Sequence, residues 1–476
     1  MNKRLELSKF NDNRIKAGIL AIEILSSFVV FCTLSGGMGV EFDEGFTWNI
    51  VVYNSFRGIC AATAADVHPP LYYLIIKSAF LIFGQSIKVL TWVSIVPVLL
   101  GMILSSILIS KRWGFSTALI FNLAYGFAPF ILHYNMNLRM YSWMELFILG
   151  TILMCYEIYH EDKVSYYILL FLFSILAVYT QYFALLPIAF SYLWLFICIV
   201  RNRGFKKCIP FLMVCVMDVV FYLPWLMYGM SNMGVGGGGT PESYKFFFDL
   251  KEIFTTLFKT NLENCVLMSV ILIVLAVFLF IVFRKRYSGG EKSFIIMLSC
   301  NELFCWIVAQ FVGKLNGHHF EMRYVIYCLM FMWLILSIVY TRCNYVATII
   351  FMLWVMELGL SSYLIEKSYE YDTTPLLAQT VEFINSNIEP DALIVYDHTP
   401  NFDMAYDFYI PGHKYVYIDD FNLDIIDEDE FWVLNHNYWQ FSEEDIEKYG
   451  LEIEVYPGMG FMDPETFDIW KVKVNR

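Results

Sequence analysis

Charge is what this sequence has least of. Only 16% of its 476 residues are Asp, Glu, Lys or Arg, whereas 58% are hydrophobic and 18% aromatic. A soluble domain carries roughly 25% charged and roughly 45–50% apolar residues. A disordered chain, a coiled coil and a disulfide-rich secreted module are therefore excluded. The eleven cysteines include no CxxC pair, and the stretch 365–476 holds none of them. They read as small apolar residues rather than as disulfides or metal ligands. A solenoid-type repeat and a basic nucleic-acid footprint are both lacking. What the chain does have is a succession of apolar runs of 18 residues or more, the pattern of a polytopic membrane protein.

The small amount of charge is distributed unevenly. Residues 365–476 carry 25 acidic and 6 basic side chains, a balance of −19, while residues 1–364 carry 20 acidic and 26 basic ones, a balance of +6. This divides the chain into a membrane domain, 1–364, and an acidic extracytoplasmic domain, 365–476. In the latter, Pro375–Asn387 has helical spacing, and Ser442-Glu443-Glu444-Asp445 resembles a helix start. Ala392–Tyr396, Tyr415–Ile418, Leu451–Tyr456 and Phe467–Val474 read as strands, which makes a small α/β domain. Its charge suits solubility, or recognition of a carbohydrate or cationic acceptor.

Apolar stretches fall at 17–35, 88–110, 115–134, 142–160, 165–181, 183–200, 208–229, 265–284, 293–313, 323–340 and 344–364. The first contains Glu23 and no A-x-A site follows it, so it reads as a retained span and not a cleaved signal. A twelfth stretch, 69–84, begins with Pro69-Pro70 and contains Lys77. If it does not cross, Lys111-Arg112, Lys163, Arg201 to Lys207, Arg284 to Arg286 and Arg342 all fall on the side of the basic N-terminus. The positive-inside rule makes that side cytoplasmic. The sequence thus predicts eleven spans, with the N-terminus inside and the C-terminus outside. Residues 69–84 are then a surface helix with Tyr72 and Tyr73 at headgroup level.

The first outer loop gathers the chemistry. It holds Glu41, Asp43, Glu44, Arg57, Asp66 and His68. Phe46, Ile50, Tyr53 and Phe56 recur at helical spacing, which predicts an amphipathic helix over 46–60 with Asp43 and Glu44 at its start. Such a pair also serves as dipole partners at a helix N-terminus, and spacing does not separate that reading from a catalytic one. Pro69-Pro70 suits the first turn of the next helix.

Asp43-Glu44 after the first span, the run from Asp66 to Tyr73 (DVHPPLYY), and LRMY from Leu138 to Tyr141, with Arg323-Tyr324 as a weaker echo, resemble the GT-C superfamily. The likeness is to the polyprenyl-phosphate-sugar-dependent glycosyltransferases of the protein O-mannosyltransferase and aminoarabinose transferase type (glycosyltransferase family 39-like). It covers roughly residues 17–340. It implies an all-α polytopic membrane protein of the GT-C fold, with about eleven transmembrane helices and two extracytoplasmic surface helices, carrying the small C-terminal α/β domain. The function implied is transfer of a sugar from a polyprenyl-phosphate donor to an extracytoplasmic protein, lipid or cell-wall glycan at the plasma membrane. In that family the first-loop Asp is the base, which assigns the role to Asp43. One departure stands out: relatives often carry a second acid in the loop after the third span, and HYNMNLRMYSWMEL has none before Glu145.

The residue types suit this chemistry. An acceptor hydroxyl needs a base as it attacks the anomeric carbon, and Glu44 orients a group, binds the acceptor or holds a cation. A departing lipid phosphate needs fixed positive charge, which Arg supplies through a planar fork. The candidates are Arg139 and Arg323, with Arg57, Lys314, His318 and His319. Tyr141, Asp66 and His68 complete the substrate-binding set. Boundary Arg and Lys also snorkel for purely structural reasons. No ligand spacing such as HxxxH requires a metal; a divalent ion near His68 and the first-loop acids is the alternative, since some relatives bind one. Gly234–Thr240 lacks the strand, helix and Lys-Ser/Thr ending of a phosphate loop and reads as a flexible outer loop. Glu23, Glu157, Asp218, Glu302 and Glu357, within or near spans, read as satisfied interior polar groups. Asp397-His398 is a further pair of catalytic residue types, read here as structural. The rival function is a transporter or flippase of lipid-linked glycans, although the repeated halves usual in transporters are missing here.

Overall fold

The computed structural model describes residues 2–35, 42–66, 68–232, 274, 276–282, 284–316, 322–397, 403–426, 428–436, 439–460 and 466–475. The chain forms two compact units, residues 1–35 with 55–364 and residues 36–54 with 365–476. In chain order the helices are α1 (Asn2–Leu34), α2 (Phe42–Tyr53), α3 (Phe56–Ala65), α4 (Leu71–Phe83), α5 (Ile87–Trp113), α6 (Phe115–Phe127), α7 (Ile131–Met136) and α8 (Tyr141–His160). They continue with α9 (Val164–Val178), α10 (Leu185–Arg203), α11 (Ile209–Asn232), α12 (Gly289–Asn316), α13 (Tyr327–Cys343) and α14 (Tyr345–Asn387). The unit boundary falls inside the 43-residue α14. Helix α2 belongs to the second unit.

Among the described residues, seven helices are long and apolar enough to cross a membrane: Asp12–Leu34, Ile87–Trp113, Tyr141–His160, Tyr182–Arg203, Phe205–Gly229, Gly289–Ala309 and Tyr345–Ser368. Three of the expected spans are shorter. Helices α6, α9 and α13 have 13, 15 and 17 residues, or about 20–26 Å of rise against ~30 Å of hydrocarbon. The expected span 265–284 lies largely outside the described residues. The apolar stretch 115–134 is interrupted because Pro129 cannot continue a helix. Phe130 then turns the chain into α7 with φ +65°, a conformation that costs a bulky side chain strain.

The core of the first unit is built around α8. This helix is apolar on nearly its whole circumference and is buried on nearly all of it, the usual fate of such a helix, with Met144 to Ile158 almost entirely enclosed. Its far end is tied to α5 by charge. Arg112 grips Glu157 through Nε and Nη2 at 2.5 and 2.7 Å, and Lys111 adds a contact at 2.6 Å. Glu157 is 1% exposed, so this planar two-point grip is what makes its burial tolerable. Inside the bundle, Glu23 accepts from Asn122 at 3.0 Å. Asp218 accepts from Ser174 at 2.9 Å and Tyr192 at 2.7 Å.

The second unit contains α2, α15 (Asp403–Tyr409), α16 (Glu443–Tyr449) and strands β1 (Leu393–Tyr396), β2 (Lys414–Tyr417), β3 (Glu430–Asn435), β4 (Leu451–Met459) and β5 (Phe467–Val474). The sheet order is β2-β1-β3-β5-β4. β1 runs parallel to both β2 and β3, with Val395 opposite Val416 and Val433; β5 is antiparallel to β3 and β4. Alternation along β1 sends Ile394 and Tyr396 to one core with Trp432, Leu434, Ile469 and Tyr406. Leu393 and Val395 go to the other, with Phe431, Val433 and Val472. Both faces are covered, as a sheet with parallel strands requires. Ser442 caps α16 by accepting the Asp445 N–H at 3.1 Å, a contact of about 1 kcal/mol.

Candidate functional site

The first outer loop does not form the single helix expected over 46–60. Helix α2 stops at Tyr53 and α3 starts at Phe56, because the Ser55 Oγ accepts the Gly58 N–H at 3.2 Å and so caps a new helix. Asp43 and Glu44 occupy the first turn of α2, where negative charge favours the helix dipole. Asp43 is half-buried and Glu44 is 1% exposed. The Thr47 hydroxyl donates back to the Asp43 carbonyl at 3.0 Å, and Asn49 donates to the Gly45 carbonyl at 3.2 Å. Both residues of this acidic pair belong to the second unit.

The first unit brings three of the remaining candidates together. His68 Nδ1 lies 2.8 Å from Asp66 Oδ2, and its Nε2 lies 3.3 Å from Arg139 Nη2. A guanidinium has only donors, so Nε2 must accept. The imidazole proton therefore sits on Nδ1 and is donated to the Asp66 carboxylate. His68 is held as the neutral ring, bridging an acid and a base. Local structure explains the placement. Asp66 closes α3 with its N–H on the Ala62 carbonyl at 3.2 Å. Pro69 and Pro70 lead straight into α4, whose first N–H, from Leu71, donates to the Tyr179 carbonyl at 3.1 Å. Arg139 lies in the short turn between α7 and α8 and is only 2% exposed. Snorkelling is thus ruled out as its purpose, because a snorkelling Arg keeps its head in water.

Aromatic residues continue this cluster. Tyr141 opens α8, is 1% exposed, and meets Tyr134 edge-on at 5.2 Å. Tyr72 and Tyr73 are fully buried within the protein; the Tyr72 hydroxyl pairs with Ser94 Oγ of α5 at 3.3 Å, which draws the ring inward. One turn beyond Tyr141, the Glu145 carboxylate is fully buried, and neither oxygen has a hydrogen-bond partner among the described residues.

Arg57 is exposed on the first turn of α3. Arg323 lies over the Tyr324 ring at 5.7 Å, and that ring stacks on Phe183 at 5.7 Å. The Lys314 side chain, His318, His319, His398 and Gly234–Thr240 lie outside the described residues. Asp397 is buried and accepts the His436 backbone N–H at 2.6 Å, a contact that joins the ends of β1 and β3. Among the described residues no three His, Cys, Asp or Glu side chains gather as a metal site. Sequence reading took Tyr53 only as one of the helically spaced residues of the loop and passed over Trp48 and Asp407; the contacts of Tyr53 with Asp407 and of Trp48 with Phe408 fix α2. Nothing local links residues more than 350 positions apart.

Comparison with known proteins places this architecture. Residues 67–228 match the model of the family described as Dolichyl-phosphate-mannose-protein mannosyltransferase. The chain is similar to ArnT from Cupriavidus metallidurans in the apo state, with a TM-score of 0.64 at 11% identity, covering 95% of this chain and 98% of that one. The same protein bound to undecaprenyl phosphate is similar with a TM-score of 0.59, again at 11% identity and over 95% and 98% of the two chains. No match was found among the curated protein sequences. The chain shares the fold of ArnT, and the stretch that matches the family model takes in His68 to Tyr73 and Leu138 to Tyr141.

Proposed function

We propose that this chain is a multi-pass membrane glycosyltransferase that takes a sugar from a polyprenyl-phosphate carrier. The carrying observation is the buried guanidinium of Arg139, held by a neutral His68 that is in turn held by Asp66. A buried, oriented, permanently positive fork suits a departing phosphate monoester of a lipid. The fold it shares with ArnT, one of whose structures contains undecaprenyl phosphate, supports the same carrier class.

Asp43 is the base in this reading. It takes the proton from an acceptor hydroxyl while that oxygen bonds to the anomeric carbon. The carbon–oxygen bond to phosphate breaks, and polyprenyl phosphate leaves as the anion. Direct displacement inverts the anomeric centre. Glu44 orients the acceptor; Arg323, Arg57 and His319 add positive charge on the donor side. The N-terminus is cytoplasmic in this reading, which the distribution of basic clusters supports. The domain 1–364 does the chemistry and 365–476 faces outward, towards a protein, lipid or cell-wall acceptor. A divalent metal is not needed for this scheme.

The test is transfer from radiolabelled undecaprenyl-phosphate sugars in membranes containing the wild type or Asp43→Asn. A new glycosidic bond made by the wild type and lost in Asp43→Asn is the expected result. Undiminished transfer by Asp43→Asn removes Asp43 from the base role. Movement of the glycan across vesicles without any new bond favours the flippase.

A further inference from the structure

The helix that carries Asp43 is too short to hold itself. At 12 residues, α2 is in the range where an isolated helix is marginal in water. Its order must come from packing. Two of its residues make that packing with α15 of the C-terminal domain. The Trp48 ring meets Phe408 edge-on, centroids 4.8 Å apart at 85°. The Tyr53 hydroxyl donates to Asp407 Oδ2 at 2.7 Å.

The platform is itself fixed. Tyr406 of α15 is fully buried in the sheet core, and its hydroxyl pairs with His436 Nε2 at 2.6 Å. Asp403, at the start of α15, accepts from Tyr396 of β1 at 3.0 Å. Tyr415 of β2 donates to the Ile410 carbonyl just after α15 at 2.7 Å. A contact on α15 is therefore a contact on the whole sheet, the kind of rigid support a site requires.

We infer that the C-terminal domain acts as a clamp on α2, with Tyr53–Asp407 and Trp48–Phe408 as positioning contacts that aim the Asp43–Glu44 turn. The inference rests on the assignment of Asp43 as the base. The lever is long: Asp43 is ten residues from Tyr53, about 15 Å along the axis, so a tilt of about 10° about the Tyr53 end moves the acidic turn by about 2–3 Å. A misplacement of about 1 Å costs a reaction on the order of a hundredfold. Tyr53, Trp48 and Asp407 touch no reacting atom in this scheme. They act through α2.

The experiment uses the full-length protein in micelles and in proteoliposomes, with Tyr53→Phe, Asp407→Asn, the double variant, Asp407→Glu, Trp48→Ala and Asp43→Asn. Hydrogen exchange of the α2 amides reads the clamp; kcat and KM with radiolabelled undecaprenyl-phosphate sugars read the positioning. The expected result is faster α2 exchange in Tyr53→Phe, Asp407→Asn and Trp48→Ala. It comes with a fall in kcat of about threefold to tenfold for the two polar variants, at unchanged donor KM. The double variant is no worse than either single one, and Asp407→Glu recovers part of the loss. Unchanged α2 exchange in Trp48→Ala and Asp407→Asn overturns the clamp. Faster exchange with unchanged kcat, while Asp43→Asn is inactive, overturns the positioning role and leaves the base standing. Full transfer by Asp43→Asn together with loosened α2 in the clamp variants supports the clamp and overturns the base assignment.

Discussion

His68 accepts a hydrogen bond from Arg139 on Nε2 at 3.3 Å while its Nδ1 faces Asp66 at 2.8 Å. The ring thus works as a fixed insulator between an acid and a base. It keeps the guanidinium oriented without neutralising it, and it does so only as the neutral tautomer. A second ring proton would set two donors against each other.

Arg139 is therefore expected to answer to shape as well as to charge. Arg139→Ala should lower transfer by about a hundredfold or more, the order found when a donor to a developing anion is removed. Arg139→Lys keeps the charge and loses the planar fork, so it should recover only part of this and raise the donor KM. Initial rates against donor concentration in proteoliposomes check both. Wild-type kinetics in Arg139→Lys would show that the fork is unused.

His68 offers a sharper test. In His68→Gln the side-chain oxygen can accept from Arg139 while the amide donates to Asp66, so activity should stay within about threefold. His68→Leu supplies neither contact and should lose at least about tenfold in rate and about 1–3 kcal/mol in stability. Thermal unfolding in micelles, together with the transfer assay, separates the two variants. Equal behaviour of Gln and Leu at this position would mean that the bridge does nothing.

A pH effect is expected at the opposite end of α8. The Glu161 carboxyl is held down near 2 from its ordinary 4.5 because Lys163 and Lys111 donate to it. A lowered folded-state value stabilises the protein above the unfolded value, and that gain disappears as pH falls from 4.5 towards 2. Melting temperature should drop across this window more steeply in the wild type than in Glu161→Gln. Parallel curves would exclude Glu161 as a contributor.

Most of the helical architecture could be read from the sequence, because membrane spans are long and apolar and their charges fall at the ends. The interruption at Pro129 was present in the sequence too, as a proline within the run 115–134, but the apolar composition on either side concealed it. Ser55 was a cap signal inside an otherwise continuous helical spacing, so α2 and α3 read as one. In the sheet domain, β1, β2, β4 and β5 match expected strands. β3 was missed because Glu430–Asn435 begins at the end of the acidic run 427–430, whose charge masks the start of the strand. The pairing of His68 with Arg139 was out of reach, since 71 residues separate them and tertiary packing brings them together. The motifs marked both residues as candidates without saying that they touch.

Two glycines give a test of that packing. A Cβ added at Gly101 of α5 would lie 2.5 Å from the Tyr125 ring and hydroxyl, whereas one added at Gly126 of α6 would meet only Met102, with Sδ at 3.7 Å and Cε at 3.8 Å. Both glycines are inside helices, where Ala is intrinsically favoured by about 1 kcal/mol, so backbone propensity pushes the two substitutions in the same direction. Only the contact differs. Tyr125 is fully buried, and its ring cannot retreat without displacing neighbours in a close-packed interior. Gly101→Ala should therefore lower stability by about 1–3 kcal/mol through overpacking, and Gly126→Ala should be neutral or slightly stabilising, since thioether and methyl are in ordinary contact. The double change Gly101→Ala with Tyr125→Leu should recover part of the loss by making room for the methyl group. Thermal unfolding of the four proteins in the same detergent decides the matter. If Gly101→Ala melts no lower than Gly126→Ala, the close approach of α5 and α6 at Tyr125 is not what holds these two helices together.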